Sequence, residues 1–499
     1  MLHNFFETMK TIFQFVFPLL ALACLFGCAS YENKARDLRG HWQSGRFVEA
    51  GGVAESALQG ADEDDVLLWQ LERGATLRAS GNAAEAVSMY EQAAVTVARW
   101  EETPEVLLSN EALAALTNLS VLPYRGRSSD VIMLHTYRAL AFLESDQIDT
   151  ARVALNAAYQ AQRDAVDRNA RAIENAQKEA EQNAVDVNGL ASQSGLDQAL
   201  EAEKAKLSGV RVLADYVNPF ATWLHGIYFL HTGTDSSDSE RARVSLSRVA
   251  EMYPENPYLE PDKALAENGV SSEIPLTYVV FESGCAPILG AVRVDTAIPV
   301  PTGRGYSTLM PISIALPKLV LSSEKKYWCI PFLVSGAYST GDASPTAVPA
   351  LSVNGAPASE ICDMNSVVRT DFENAYPAIL TRTLITAFLK SATAAALNAV
   401  SQEYARNDGS AGSALVSLAT MIGSTIYTYA STDADLRCWQ TLPQNFSVVR
   451  IETPESRRIA VNIGGRSLDV ELRPGKINLV VVKTTREHGP IVVSQSVLK

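Results

Sequence analysis

Apolar residues along this chain keep two different periods, and the switch between them near residue 270 limits the fold more than any other feature. From about Tyr31 to Pro254 they recur every three or four positions and alanine is frequent, the pattern of packed amphipathic helices. "PENPYLEPDKALAENG" interrupts that pattern. From Ile274 the runs "IPLTYVVFESG", "AVRVDTAIPVP", "TLMPISIALPKLVL" and "KKYWCIPFLVSG" read as strands. A length of 499 residues points to more than one domain. The expectation is an α+β multidomain chain: a leader over 1–27, a helical solenoid over 28–260, and a β-rich, sandwich-like domain over 274–499.

The helical half repeats itself. In "LLWQLERGATLRASGNAAEAVSMYEQAAV", Gly74, Gly81, Ala86, Tyr90 and Ala93 fall in the order seen in the tetratricopeptide repeat, which this stretch resembles. Small residues let two antiparallel helices approach, a glycine turns the chain, and a bulky residue fills the gap. The order returns with Ala139 and Ala151, and again with Gly226, Ala242 and the closing Pro254. The third copy carries an acidic insertion, "TDSSDSE", in its turn. The copies are not adjacent at the usual period of about 34 residues, so other helices separate them. Such arrays present curved surfaces to other proteins. Between copies two and three, about 160–210, a stretch rich in Ala, Glu, Lys and Gln predicts a long, largely solvated helical arm, broken around Gly189 and Ser192–Gly195.

Helix also returns inside the β-rich half, about 364–432, as a predicted pair with a break allowed at Pro377. Its second member, around Ala414–Ser431, is uncharged. It reads as a core helix, with a membrane or oligomer seam as the alternative. Prolines within the first strand runs place those strands at sheet edges. Gly464–Gly465 and Pro474–Gly475 mark turns between the last strands, which complete a sheet begun near Ile274.

The N-terminus reads as a secretory leader starting at Met1 or Met9. "Leu25-Phe26-Gly27-Cys28" resembles the lipobox of bacterial lipoproteins, which implies acylation of Cys28 and firm membrane attachment. Ala29, rather than aspartate, implies the outer membrane. Cys285, Cys329, Cys362 and Cys438 are then disulfide candidates, with three possible connectivities.

Chemistry is sparse. The net charge of −14 and the lack of a basic cluster argue against nucleic acid. His225 and His231 lack metal-ligand spacing, no cofactor motif occurs, and His488 has no nucleophile elbow beside it. Glu282 and the acids Asp433 and Asp435 read as exposed loop carboxylates. The expectation is no enzyme activity, no cofactor and no metal.

"VVFESGCAP", "PAILTR" and "DADLRCWQTLP" together resemble a poorly characterised family of bacterial lipoproteins with tetratricopeptide-like N-terminal halves. The matching positions are Phe281, Ser283, Gly284, Ala286 and Pro287, then Pro377, Ala378, Ile379 and Arg382, then Ala434, Asp435, Arg437, Trp439, Leu442 and Pro443. We read the last stretch as a structural corner. Arg437 and Arg382 are expected to partner its acids, Trp439 to plug the junction of the inserted helices with the terminal sheet, and Cys438 to form a staple. The function expected is a lipid-anchored scaffold or assembly protein at the outer membrane, facing the periplasm and binding envelope proteins. A subunit of an oligomeric pore is the alternative, and an envelope hydrolase is disfavoured.

Overall fold

The computed structural model describes residues 31–102, 122–214, 216–301, 307–321, 350–408 and 432–499, with isolated positions between 409 and 431. Cys28, Cys329 and nearly all of the uncharged segment 414–431 lie outside them.

A helical stretch over 31–43 is followed by α1 (Phe47–Gln59), α2 (Val66–Ala79), α3 (Ala83–Glu102), α4 (Ser128–Glu144) and α5 (Ile148–Gln182). Then come α6 (Val187–Gln193), α7 (Leu196–Lys206), α8 (Pro219–Thr232), α9 (Ser236–Met252) and α10 (Leu259–Glu267). Sequential helices pack as pairs: α2 with α3, α4 with α5, α8 with α9. A Cβ on Gly74 would sit 2.4 Å from Tyr90 Cε1, so only glycine lets α2 and α3 approach over that ring. Gly226 makes the same close approach under Leu246 in the α8–α9 pair. Gly81 turns the chain between α2 and α3 with φ +82°, and Asp146 does so between α4 and α5 with φ +58°. The acidic insertion is the start of α9 rather than a turn. Asp235 caps that helix by accepting from Asp238 N–H, and Asp238 is fully buried against Arg152 and Arg241.

The strands are β1 (Leu276–Ser283), β2 (Ile288–Pro301), β3 (Ser307–Val320), β4 (Leu351–Val353), β5 (Ala356–Pro357), β6 (Ser359–Asp363), β7 (Asn445–Glu452), β8 (Arg458–Ile463), β9 (Arg466–Glu471), β10 (Ile477–Thr484) and β11 (Val492–Val497). One five-stranded sheet has the order β11-β10-β1-β7-β6, and a four-stranded sheet the order β5-β4-β8-β9. β1 lies parallel to β10 and antiparallel to β7, so the tail does complete the sheet that Ile274 introduces. Gly464 and Gly465, both at positive φ, turn β8 into β9. β2 and β3 form a separate two-stranded ribbon, in which Pro299, Pro301, Pro311 and Pro317 interrupt no central strand.

Packing does not divide the chain where its sequence does. β1 is buried on both faces. Leu276, Tyr278 and Val280 join the core of the helices, whereas Val279 and Phe281 pack against Val353, Ile459 and Val461 of the second sheet. The architecture is therefore three layers: helices, five-stranded sheet, four-stranded sheet. One continuous cluster runs from Leu67 to Leu498, so the two halves share a core, and the boundary near 260–274 is one of sequence pattern only.

Two further expectations need correction. The region 364–408 is one 45-residue helix, α11 (Met364–Asp408), which continues through Pro377 without a break. Packing against α5 and β3 outweighs the roughly 3 kcal/mol that an interior proline costs. The helix proposed to pair with it falls outside the described residues. The arm of 160–210 is not solvated throughout. Its end, broken at Asn183 and at Ser194–Gly195, buries Ala180, Leu190, Leu196 and Leu200 against Ile298, Ile312, Leu384 and Ile385. A satellite core thus joins α5–α7, the β2–β3 ribbon and α11.

Candidate functional site

Two of the three stretches singled out in the sequence meet at one place. "FESGCAP" leaves the end of β1, and "DADLRCWQTLP" runs beside it. Ala286 N–H donates to Leu442 O at 2.8 Å, and Gln444 N–H donates to Ser283 O at 2.9 Å. The corner also docks on the helical half. Arg437 is buried, bonds Asp435 at 2.8 Å and Asp65 at 2.9 Å, and donates to the carbonyls of Asp64 and Leu122. Desolvation opposes its charge, but Asp435 and Asp65 outweigh that and raise its pKa. Glu72, on α2, accepts from Gln440 N–H at 2.6 Å and the Thr441 hydroxyl at 2.7 Å. Burial pushes the Glu72 carboxyl up to about 8, against the lowering effect of those two bonds. Trp439 is buried, with its ring 5.6 Å from Tyr137 and 6.4 Å from Tyr90. Its partners are α3 and α4, so it joins the helical half to the sheet rather than the inserted helices to the sheet. Pro443 is buried at the entry to β7.

Arg382 is elsewhere. It bonds Glu179 of α5 at 2.9 Å, because α11 turns that face toward the satellite core and not toward the corner. Asp433 instead lies in the field of Arg293 and Lys390.

Glu282 is no loop carboxylate. It is fully buried on β1, 2.7 Å from Arg78 and 2.6 Å from Lys483. Burial alone would raise its pKa, but the Arg78 and Lys483 charges outweigh it and hold the carboxyl below the usual range. Arg78 also forks onto Glu144, and Ser494 of β11 donates to Glu144 at 2.6 Å. Lys483 stands over the Trp42 ring at 5.0 Å. This network ties α2 and α4 to β1, β10 and β11. Sequence reasoning passed over it, yet a signal was available. Glu72 and Arg78 interrupt the apolar run of α2, and Lys483 ends that of β10; charges inside such runs are buried and paired.

The cysteines do not staple the corner. Cys285, Cys362 and Cys438 are buried thiols not bridged to one another. They belong to three different apolar clusters. Burial pushes the Cys438 thiol up to about 11. Ala86, Ala93, Ala139, Ala151 and Ala242 are buried, and Pro254 begins the turn after α9.

Among the described residues, the histidines singled out in the sequence are occupied by core contacts or exposed in a turn. His225 Nδ1 lies 2.9 Å from Ser245 Oγ, and His231 bridges Ser271 and the Tyr278 hydroxyl, which donates to Asp262. Burial lowers the two imidazoles to about 4 and about 3. Both are neutral core histidines with no acid oriented on them as a triad requires. His488 is exposed in the turn before β11. No group of three His, Cys, Asp or Glu among the described residues could hold a metal. Two recesses are shallow: one of about 590 Å³ between Arg46, Gly81 and Val492, and one of about 150 Å³ between Tyr159, Arg163, Tyr216 and Arg248. What the arrangement does is mechanical: it clamps helices to sheet. Comparison with protein-family models, curated proteins and solved structures finds no match for this chain.

Proposed function

We propose that this chain is a lipid-anchored scaffold or assembly protein of a bacterial envelope. Cys28 holds it at the outer membrane, facing the periplasm, and it binds protein partners through a tetratricopeptide-like helical array. The lipobox-like "LFGC" and the likeness to a lipoprotein family support the anchor.

One observation bears most on how partners bind. Stacked helix pairs offer partners an extended concave face. Here the first helices α2, α4 and α8 are buried along nearly their whole length. The sheet and the corner occupy that face, as in the stack of Phe220 on Phe446 at 3.9 Å and the edge contact of Trp223 with Tyr278. The outer helices remain open, and each carries an exposed valine: Val48 on α1, Val95 on α3, Val153 on α5 and Val244 on α9. Partners therefore dock on the outer face.

Crosslinking in the native envelope, followed by mass spectrometry, tests this with Val95→Asp and Val153→Asp. Both positions are more than half exposed, so the fold is kept. The expected result is loss of crosslinks from α3 and α5 to other proteins at unchanged melting temperature. An unchanged crosslink pattern refutes outer-face docking. Because the halves share a core, deleting residues 31–254 would destroy the protein rather than dissect it.

A further inference from the structure

The corner 433–440 works as a ruler for direction. Three elements run along it, and all three read it in the same sense. The N-terminal helix has Arg39 beside Gln440, and its start, Glu32 and Tyr31, lies in the field of Asp433 and beside Cys438. α11 packs Phe372 near Cys438 and then carries Lys390 close to Asp433. β2 has Leu289 in the cluster of Cys438 and Arg293 near Asp433. The start of the N-terminal helix, the far half of α11 and the described end of the β2–β3 ribbon therefore lie on the same side of the body.

What extends on that side is apolar and open. No charged residue stands between Lys390 and Glu403. Val400 is 68% exposed and Leu397 41% exposed on one helical stripe. Leu309, opposite Pro299 near the described end of the ribbon, is 72% exposed. Among the described residues, α11 is also the helix whose apolar window, of mean hydropathy 1.3, is long enough to cross a membrane, although less than half of it is buried against the protein. Val400 lies about 15 Å beyond Lys390 along the helix, and Leu309 about 20 Å beyond the level of Arg293 along the ribbon.

Cys28 precedes Tyr31 by three residues, and Tyr31 is fixed, with its ring 5.7 Å from Trp69. Three residues span at most about 11 Å. A lipid attached at Cys28 thus holds this side of the body against the bilayer without a long tether. We propose that the far end of α11 and the ribbon at Leu309 form a second membrane contact, with Leu309, Leu397 and Val400 seated in the lipid surface to which Cys28 is anchored. This rests on the anchor reading above. The contact is interfacial rather than spanning, since Glu403, Arg406 and Asp408 follow directly. Apolar side chains at headgroup depth, added to an acyl anchor at Cys28, fix which face of the body lies on the bilayer.

The test uses the full acylated chain on vesicles of phosphatidylethanolamine and phosphatidylglycerol, some bearing nitroxide-labelled acyl chains. A fluorophore is placed singly through Leu309→Cys, Val400→Cys, Val95→Cys or Val153→Cys, with labelled wild type as background. The expected result is flotation of all variants, with quenching at 309 and 400 several-fold stronger than at 95 and 153. Flotation with equal quenching at the four positions overturns the second contact and leaves the anchor intact. Crosslinking of position 400 between copies, without quenching, also overturns it, because a second copy then covers the stripe. Cys28→Ser separates the two readings. If that variant still floats and position 400 is still quenched, the second contact stands and the anchor falls.

Discussion

Glu72 makes this protein's stability fall as pH rises, and replacing it with glutamine should abolish that loss. Burial holds the folded carboxyl near 8, against an ordinary value of 4.5. Below pH 4.5 both folded and unfolded chains keep the proton, and the stability is fully present. Between 4.5 and 8 the unfolded chain releases the proton while the folded chain retains it. Each pH unit then costs about 1.36 kcal/mol, or about 4 kcal/mol across the window. Glutamine is neutral throughout. Its carbonyl can accept from Gln440 N–H, and its amide can donate to the Thr441 hydroxyl oxygen. The Thr441 proton loses its acceptor, at about 1 kcal/mol. Glu72→Gln should therefore be weaker than wild type by about 1 kcal/mol at pH 4.5, equal near about pH 5.5, and stronger by about 3 kcal/mol at pH 8. Urea unfolding followed by tryptophan fluorescence at pH 5, 6, 7 and 8 reads this out. Other buried acids, such as Asp130 and Asp262, each pushed up to about 6 by burial, are common to both proteins and drop out of the difference. A difference that stays flat from pH 5 to 8 refutes the reasoning and means that Glu72 is ionised, with the nearby Arg39 charge compensating it.

Arg437→Ala should cost about 3 kcal/mol, the range for opening a buried ion pair, here moderated by the part-exposed acids, and urea midpoints check it; Arg382→Ala should add independently, since its partner is Glu179 rather than the corner. Gly74→Ala should destabilise by about 1–3 kcal/mol through overpacking on Tyr90, and Tyr90→Leu in the same chain should relieve the clash; additive losses in calorimetry would refute that contact. Cys362 and Cys438 should resist maleimide in the native protein and label fully in urea, as peptide mass spectrometry would reveal; native labelling at Cys438 would show that the corner opens.

The periods of the two halves were legible because they report one face of each element: helices every three or four residues, strands in apolar runs. The small residues of the helix pairs were legible for the same reason, as Gly74 under Tyr90 shows. Pairing across long separations was not. Arg437 and Arg382 both looked like partners for Asp433 and Asp435, yet only tertiary packing decides which way α11 turns, and it turns Arg382 toward Glu179. Glu282 was misread because a lone acid before "SG" has the local look of a loop. Its partners, Arg78 and Lys483, are 204 and 201 positions away in sequence, and no local pattern links them. An even count of cysteines suggested bridges; for Cys285, Cys362 and Cys438, burial among apolar side chains is a sufficient reason for a thiol to be present.

The buried charges have a further consequence for how the chain finds its register. Glu282 and Lys483 are direct cross-strand partners on β1 and β10. Leu276, Tyr278 and Val280 of β1, with Ile477, Leu479 and Val481 of β10, face the helices, whereas Val480 and Val482 face the second sheet. Both strands are apolar on both sides, so hydrophobicity distinguishes their two faces poorly. A slip of one residue would exchange those faces. It would put Lys483 among Phe281, Val461 and Ile463, and leave Glu282 with Arg78 alone. Closing a loop of this length adds little cost, since each doubling of length is worth only about 0.6 kcal/mol. Misplacing a buried lysine costs several times that. The charge pair therefore discriminates among registers that the apolar residues leave nearly equal, and the same Arg78 carries the choice across to α2. The helices and the last strands of the chain are in this way fixed against each other by one network, and the inner face of the helical half stays uncovered until those strands arrive.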